Sequence, residues 1–307
     1  MHMIPSLWKT PKKVALVSPA GATPPENLQK TLDRLEQLGI KVFPSAHVGA
    51  RKRRYLAGSI EERLEDLYAA FERDDVDAVW CVRGGYGSAQ LIAHIDWQRL
   101  SRARHIPLIG YSDITALLIA FHKHGLKAIH GPVANEVNKL DFELSEEALV
   151  QSEGWKSLAS IEEVLNQHEG ALPVRDSLKI TTPTPLLGGN LTVLASLSGT
   201  PGALQPSSDY FLLIEDVNEA FYHLERSFFQ LIESLDKSLI KGIGLGEFVG
   251  CDDPDKSLTI KSLFADWIKE AHIPMFEGLP IGHGQRNRAW LYGAFGTIEQ
   301  NVLRWTS

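Results

Sequence analysis

Short apolar runs alternate with longer amphipathic stretches through the first half of the chain. "KVALV", "KVFP", "VDAVWCV" and "HIPLIG" are too brief for helices and almost unbroken in hydrophobic character, which predicts buried strands. Between them, "PPENLQKTLDRLEQLG" sets Leu28, Leu32, Leu35 and Leu38 on one helical face. "SIEERLEDLYAAFERDD" predicts a second helix, opened by the Ser59 and Glu62 of a capping box. Strands alternating with helices predict an α/β fold whose parallel sheet is covered on both faces.

The pattern changes after residue 137. Residues 138–177 are polar and helical in places, and "TTPTPLLGGN" then brings Pro, Gly and Thr together. The expected organisation is therefore an α/β domain over residues 1–137, a connection over 138–177, and a smaller β/α domain over 178–307 with an antiparallel ending. A length of 307 residues with 44% hydrophobic and 22% charged positions suits two ordinary domains.

A net charge of −7 argues against a protein built to grip nucleic acid or anionic membranes. The basic run "RKRRY" (51–55) is local and reads as a solvated loop or helix start. Cys81 and Cys251 share no metal-type spacing, so neither a disulfide framework nor a zinc site is expected. No stretch reaches the roughly 20 apolar residues that cross a bilayer, and no apolar run of secretory length opens the chain, so the expectation is a cytoplasmic protein.

Ligands of open α/β sheets gather at the carboxyl ends of strands, and four such junctions carry chemistry. In "WCVRGGYGSAQLI", glycines around Gly85 free backbone N–H groups for an anion or oxyanion, although a tight turn is the plainer reading. In "IGYSDIT", Ser112 follows a strand and precedes a helix, resembling half of a G-x-S-x-G elbow with Ile114 in place of the second glycine. Local sequence favours a helix cap for Ser112 over a nucleophile. In "YFLLIEDVNEAF", Glu215 or Asp216 ends a strand where a carboxylate would orient a histidine. In "LPIGHGQRNRAW", His283 lies between glycines, with His130 in "AIHGPV" its rival as general base. Ser112, an acid at 215 or 216, and a histidine supply the parts of a triad. No H-E-x-x-H or similar cluster offers a metal route. Ser18, followed by a proline and a loop, lacks a helix behind it.

"VRGGYGSAQLI", "IGYSDITALL", "HGPV", "LLGGNLTVL", "IEDVNEAFYHLERSFFQL" and "LPIGHG" occur in an order and spacing that resemble the bacterial LD-carboxypeptidases, or muramoyltetrapeptide carboxypeptidases, a family that includes the microcin-immunity peptidases. The resemblance spans nearly the whole chain. It implies a serine peptidase that needs no metal or cofactor and releases the terminal D-alanine of a murein tetrapeptide during peptidoglycan recycling. It also implies an N-terminal domain similar to the class I glutamine amidotransferases, a swivelling C-terminal β/α domain, and a homodimer. By this resemblance Ser112 is the nucleophile, Glu215 the acid and His283 the base, and the oxyanion donors are the amides of Gly85 and Asp113. Arg83, Tyr86, Asn190 and Arg286 are candidate substrate contacts, with Arg288 also near the motifs. The alternative within the family is cleavage of an acyl-sulfamoyl adenylate, for which Trp155 is a candidate stacking residue. From outside enzymes, a two-lobed small-ligand binding protein would not need Ser112.

Overall fold

The structure is a computed structural model that describes residues 4–307 apart from 54, 254 and 256. Arg54 of the basic run and Pro254 of "CDDPD" therefore lie outside the described residues.

The first sheet holds β1 (Lys13–Val17), β2 (Lys41–Pro44), β3 (Ala78–Cys81), β4 (Leu108–Gly110) and β5 (Ala128–His130). All four neighbouring pairs within β2-β1-β3-β4-β5 are parallel. The helices between them are α1 (Pro25–Gln37), α2 (Ile60–Phe71), α3 (Trp97–Leu100) and α4 (Thr115–Lys123). The Ser59 and Glu62 capping box forms at the start of α2 as its spacing predicts. Strands β3, β4 and β5 are buried at every position, which is why they read as unbroken apolar runs. Trp80 on β3 is fully buried and satisfies its indole N–H at Pro132 O, 2.7 Å away.

Helices α5 (Glu146–Gln151) and α6 (Glu153–Gln167) follow. The second sheet contains β6 (Glu169–Pro173), β7 (Ile180–Asn190), β8 (Tyr210–Val217), β9 (Ile240–Val249) and β10 (Met275–Gly282), with α7 (Leu191–Ser196), α8 (Phe221–Glu233) and α9 (Ile260–Ile268) connecting them. A two-residue strand, β11 (Trp290–Leu291), precedes the closing hairpin of β12 (Phe295–Glu299) and β13 (Val302–Thr306). The order is β10-β9-β8-β7-β12-β13-β6. The side from β7 to β10 is parallel, while β12, β13 and β6 pair antiparallel as expected for the ending.

Two segments cross the divide that composition suggests. Strand β6, in the expected connection, pairs with β13 in the second sheet, and β11, far down the chain, pairs antiparallel with β5 as the edge of the first. Helix α6 is bonded to both regions. Its Glu162 carboxylate accepts from the backbone of Lys9 and Thr10, and its Ser157 and Ser160 hydroxyls accept from the backbone of Asn287 and Ala289.

Helix α4 lies between the sheets. Residues 115–121 are all buried, so the helix is apolar on every side, as a helix enclosed in protein must be. Leu117, Leu118, Ile119 and Phe121 each contribute about 1.5–3 kcal/mol through burial. At its start, Thr115 Oγ1 accepts a 3.0 Å hydrogen bond from Asn190 N at the end of β7. That approach requires glycine at 189, where φ is +130° and an added Cβ would stand 2.5 Å from Thr115 Oγ1.

Gly189→Ala should therefore push β7 away from α4 and cost about 1–3 kcal/mol, read as a lowered urea midpoint. An unchanged midpoint would mean that this contact does not hold the two regions together.

Candidate active site

Ser112 follows β4 and opens a single 3₁₀ turn, Ser112–Ile114, that leads into α4. Its φ is +62°, a left-handed backbone that a non-glycine side chain adopts only when its surroundings impose it. Its hydroxyl caps nothing: neither the turn nor α4 has a side-chain N-cap bond. The local preference for a cap is thereby overturned in favour of a strained strand-to-helix elbow. Among the described residues Ser112 Oγ makes no hydrogen bond, to His283 or to any other group.

The turn after β3 packs directly on this elbow. A Cβ at Gly84 would lie 2.9 Å from Ser112 Cβ and 3.0 Å from Ser112 Oγ, so only glycine admits the serine there. Gly84 O also accepts from Gly21 N, 3.0 Å away, tying the loop after β1 to the loop after β3. These loops flank the point where the strand order reverses, the usual crevice of an open parallel sheet. The N–H groups of Gly85 and Asp113 have no acceptor among the described residues, leaving both free for an oxyanion.

The buried Asp113 side chain joins turn and elbow. Its Oδ2 accepts from Ser88 N at 2.8 Å, and its carbonyl accepts from Ser88 Oγ at 2.5 Å. Arg63 on α2, also buried, completes the brace. Its guanidinium donates to Pro19 O and Gly87 O, both at 2.9 Å, and to Gln90 Oε1 at 3.1 Å. Burial lifts the Asp113 carboxyl above its ordinary pKa, against the Ser88 hydrogen bonds and the Arg63 charge that favour the carboxylate. Sequence reading missed Arg63. Its signal was an arginine one helical turn from Leu67, on the face that α2 turns inward.

The second sheet brings a carboxylate and an imidazole. Glu215 is the sixth residue of β8 and fully buried, and His283 directly follows β10. Glu215 Oε2 lies 2.7 Å from His283 Nδ1. The carboxylate thereby holds Nδ1–H as the donor and leaves Nε2 as the basic nitrogen. Asp216 plays a different part, accepting from Asn190 Nδ2, Thr192 N, Thr192 Oγ1 and Val217 N. Of the two acids left open by the sequence, Glu215 alone meets a histidine. Burial disfavours a charged His283, but the hydrogen bond and charge of Glu215, with Asp216 and Glu136 adding to them, raise its pKa above the ordinary value.

Tyr111 links the two halves of the site. It immediately precedes Ser112, its ring centre is 4.7 Å from that of His283, and its hydroxyl donates to Glu136 at 2.8 Å. The rival His130 is fully buried, stacked on Trp290, and pushed down to a pKa of about 3 by burial and by the nearby His283. It stays neutral. Ser18, after β1, donates to Val48 O in the loop after β2.

The candidate substrate contacts are mostly engaged within the protein. Arg83 donates to Ala22 O. Asn190 caps α7 through Val193 N and holds Asp216. Arg286 pairs with Glu247, and Arg288 with Glu153 and Ser157. Tyr86 is 56% exposed beside the glycine turn, its ring edge-on to Tyr55. Trp155 is buried in α6. Among the described residues no group of three or more His, Cys, Asp or Glu stands where it could hold a metal ion. None of the described helices is long and apolar enough to cross a membrane.

Comparison with known proteins follows this division. Residues 14–131 match the family model of the LD-carboxypeptidase N-terminal domain, and residues 184–298 that of the LD-carboxypeptidase C-terminal domain. The chain is 44% identical over 295 residues to the murein tetrapeptide carboxypeptidase of Pseudomonas aeruginosa, a match covering 95% of each protein. The crystal structure of muramoyltetrapeptide carboxypeptidase from Oxalobacter formigenes superposes with a TM-score of 0.79 at 27% identity, covering 96% of this chain and 99% of that one. The microcin immunity protein MccF, in complex with glutamyl sulfamoyl guanosine, superposes with a TM-score of 0.82 over 99% of this chain and 98% of that one. At 17% identity that likeness is one of fold.

The His283 imidazole should titrate above the ordinary 6.5, because the imidazolium gains the Glu215 carboxylate. In Glu215→Gln the charge is lost while burial remains, so the midpoint should fall below that of the wild type. Nitrogen-15 NMR of the ring measures both, and identical midpoints would separate the two residues electrostatically.

Proposed function

Because the chain belongs to the LD-carboxypeptidase family, we propose that it is a serine carboxypeptidase that releases the terminal D-alanine from murein tetrapeptide in peptidoglycan recycling. The observation that carries this reading is the pairing of a strained, uncapped Ser112 beside the glycine turn with a Glu215–His283 couple supplied by the other sheet. The reading includes a metal-independent enzyme working in the cytoplasm as a homodimer.

His283 Nε2 takes the Ser112 proton as Oγ attacks the scissile carbonyl. The electron pair moves onto the carbonyl oxygen, held by the N–H groups of Gly85 and Asp113. One such donor is worth about 100- to 1,000-fold in rate. Glu215, desolvated and hydrogen-bonded to Nδ1, stabilises the imidazolium. The tetrahedral intermediate collapses, the C–N bond breaks, and His283 gives its proton to the departing amine. A water, deprotonated by His283, then attacks the acyl ester, and His283 passes that proton to Ser112 Oγ as the ester C–O bond breaks. Since Ser112 Oγ has no hydrogen-bond partner among the described residues, substrate binding must draw the serine and imidazole together.

The split origin of the site makes this activity depend on docking between the sheets, with α4 and Tyr111 as the joint. The aminoacyl-nucleotide reading loses its stacking residue, because Trp155 is buried in α6.

Purified protein given murein tetrapeptide should release free D-alanine, followed by mass spectrometry, with the rate unchanged by a chelator. Ser112→Ala should reduce kcat by roughly 10⁴-fold or more. Equal release by the variant would remove Ser112 as nucleophile, and loss on chelation would remove metal independence.

A further inference from the structure

We propose that the cavity beside His283 is the seat of the departing amino acid, whose terminal carboxylate is received by Asn287 Nδ2; this rests on the carboxypeptidase reading above. The cavity has a volume of about 570 Å³, and its wall includes His283, Asn287, Glu136, Lys139, Glu153 and Leu158.

Asn287 is only 6% exposed, and its amide is held in one orientation. Oδ1 accepts from Gly282 N at 3.2 Å, so Nδ2 is the end left over. Its backbone N–H is fixed separately, donating to Ser157 Oγ at 2.9 Å. Nδ2 is buried with no partner among the described residues. An unsatisfied buried donor costs about 1–3 kcal/mol, a penalty that an acceptor oxygen on a ligand would remove.

The carboxylates of the wall need no such partner. Glu136 accepts from Tyr111 Oη and pairs with Lys139 at 2.6 Å. Glu153 pairs with Arg288 at 2.8 Å and Lys156 at 3.8 Å. What the wall leaves unpaired is the Asn287 amide donor.

The reaction decides which oxygen comes here. His283 must hand its proton to the departing amine, so that amine lies against the imidazole. In an α-amino acid the carboxylate is separated from the amine by a single carbon. It must therefore lie close to His283, on the leaving side of the scissile bond, while the acyl carbonyl faces Gly85 and Asp113. A cavity that opens on His283 and is lined by Asn287, whose buried side-chain amide N–H is unpaired, meets that requirement.

The test compares kcat/KM for murein tetrapeptide and for the same peptide ending in a D-alanine carboxamide. Asn287→Asp keeps the acceptor for Gly282 N and replaces the donor with a negative charge. The preference for the free acid should fall by about tenfold or more, the worth of a hydrogen bond to a charged group. Equal losses on both peptides would make Asn287 purely structural and overturn the proposal. Should Asn287→Asp fail to fold, Asn287→Ser, which removes the amide donor without adding a charge, decides between the two outcomes: the preference falls, or the carboxylate does not bind here. Isothermal titration of D-alanine into Ser112→Ala protein, with and without Asn287→Asp, reads the same contact without turnover. Wild-type protein that cleaves neither peptide would instead count against the carboxypeptidase reading itself.

Discussion

The two sheets meet where Gly189, at the end of β7, presses against Thr115, at the start of α4. Everything at the site depends on that contact. Ser112 stands three residues before Thr115, and Glu215 pairs in register with Asn190, the residue after Gly189. One small contact therefore sets the first sheet's serine and the second sheet's acid in a common frame. The apolar bulk of α4 holds that frame, since a helix buried on every side cannot shift without opening a cavity on one of them.

Electrostatics then divides the carboxylates by role. Glu215 is wholly buried and its Oε1 has no hydrogen-bond partner among the described residues, so His283 is its principal means of carrying charge. Asp216, its neighbour, is satisfied four times over and serves to fix the start of α7. Asp113 faces Ser88 and Arg63 and locks the glycine turn to the elbow. These three acids do three different things because each meets a different set of donors.

Periodicity made most of the fold legible. Strands β3, β4 and β5 are buried throughout and β1 is buried after its first residue, while α1 and α2 carry clear helical faces with a capping box on α2. Strand β11 was not legible: two residues carry no period, and its partner β5 lies about half the chain away. The triad residue types were visible at strand ends, but local sequence could not choose between cap and nucleophile at 112, nor between acids at 215 and 216. The structure sets the cap aside, since Ser112 at φ +62° makes no side-chain cap bond, and the partners of each carboxylate single out Glu215 as the one that meets a histidine. Arg63 and Asn287 escaped notice for a common reason. Each acts through atoms contributed by other segments, Pro19 and Gly87 for the one, Gly282 and Ser157 for the other.

The most direct test of the serine mechanism is rapid-quench mass spectrometry of the wild-type protein during turnover of murein tetrapeptide, followed by peptide mapping. Acylation of Ser112 predicts a transient mass gain equal to the substrate less D-alanine, carried by the peptide that contains Ser112. Turnover with the adduct on another residue would contradict it.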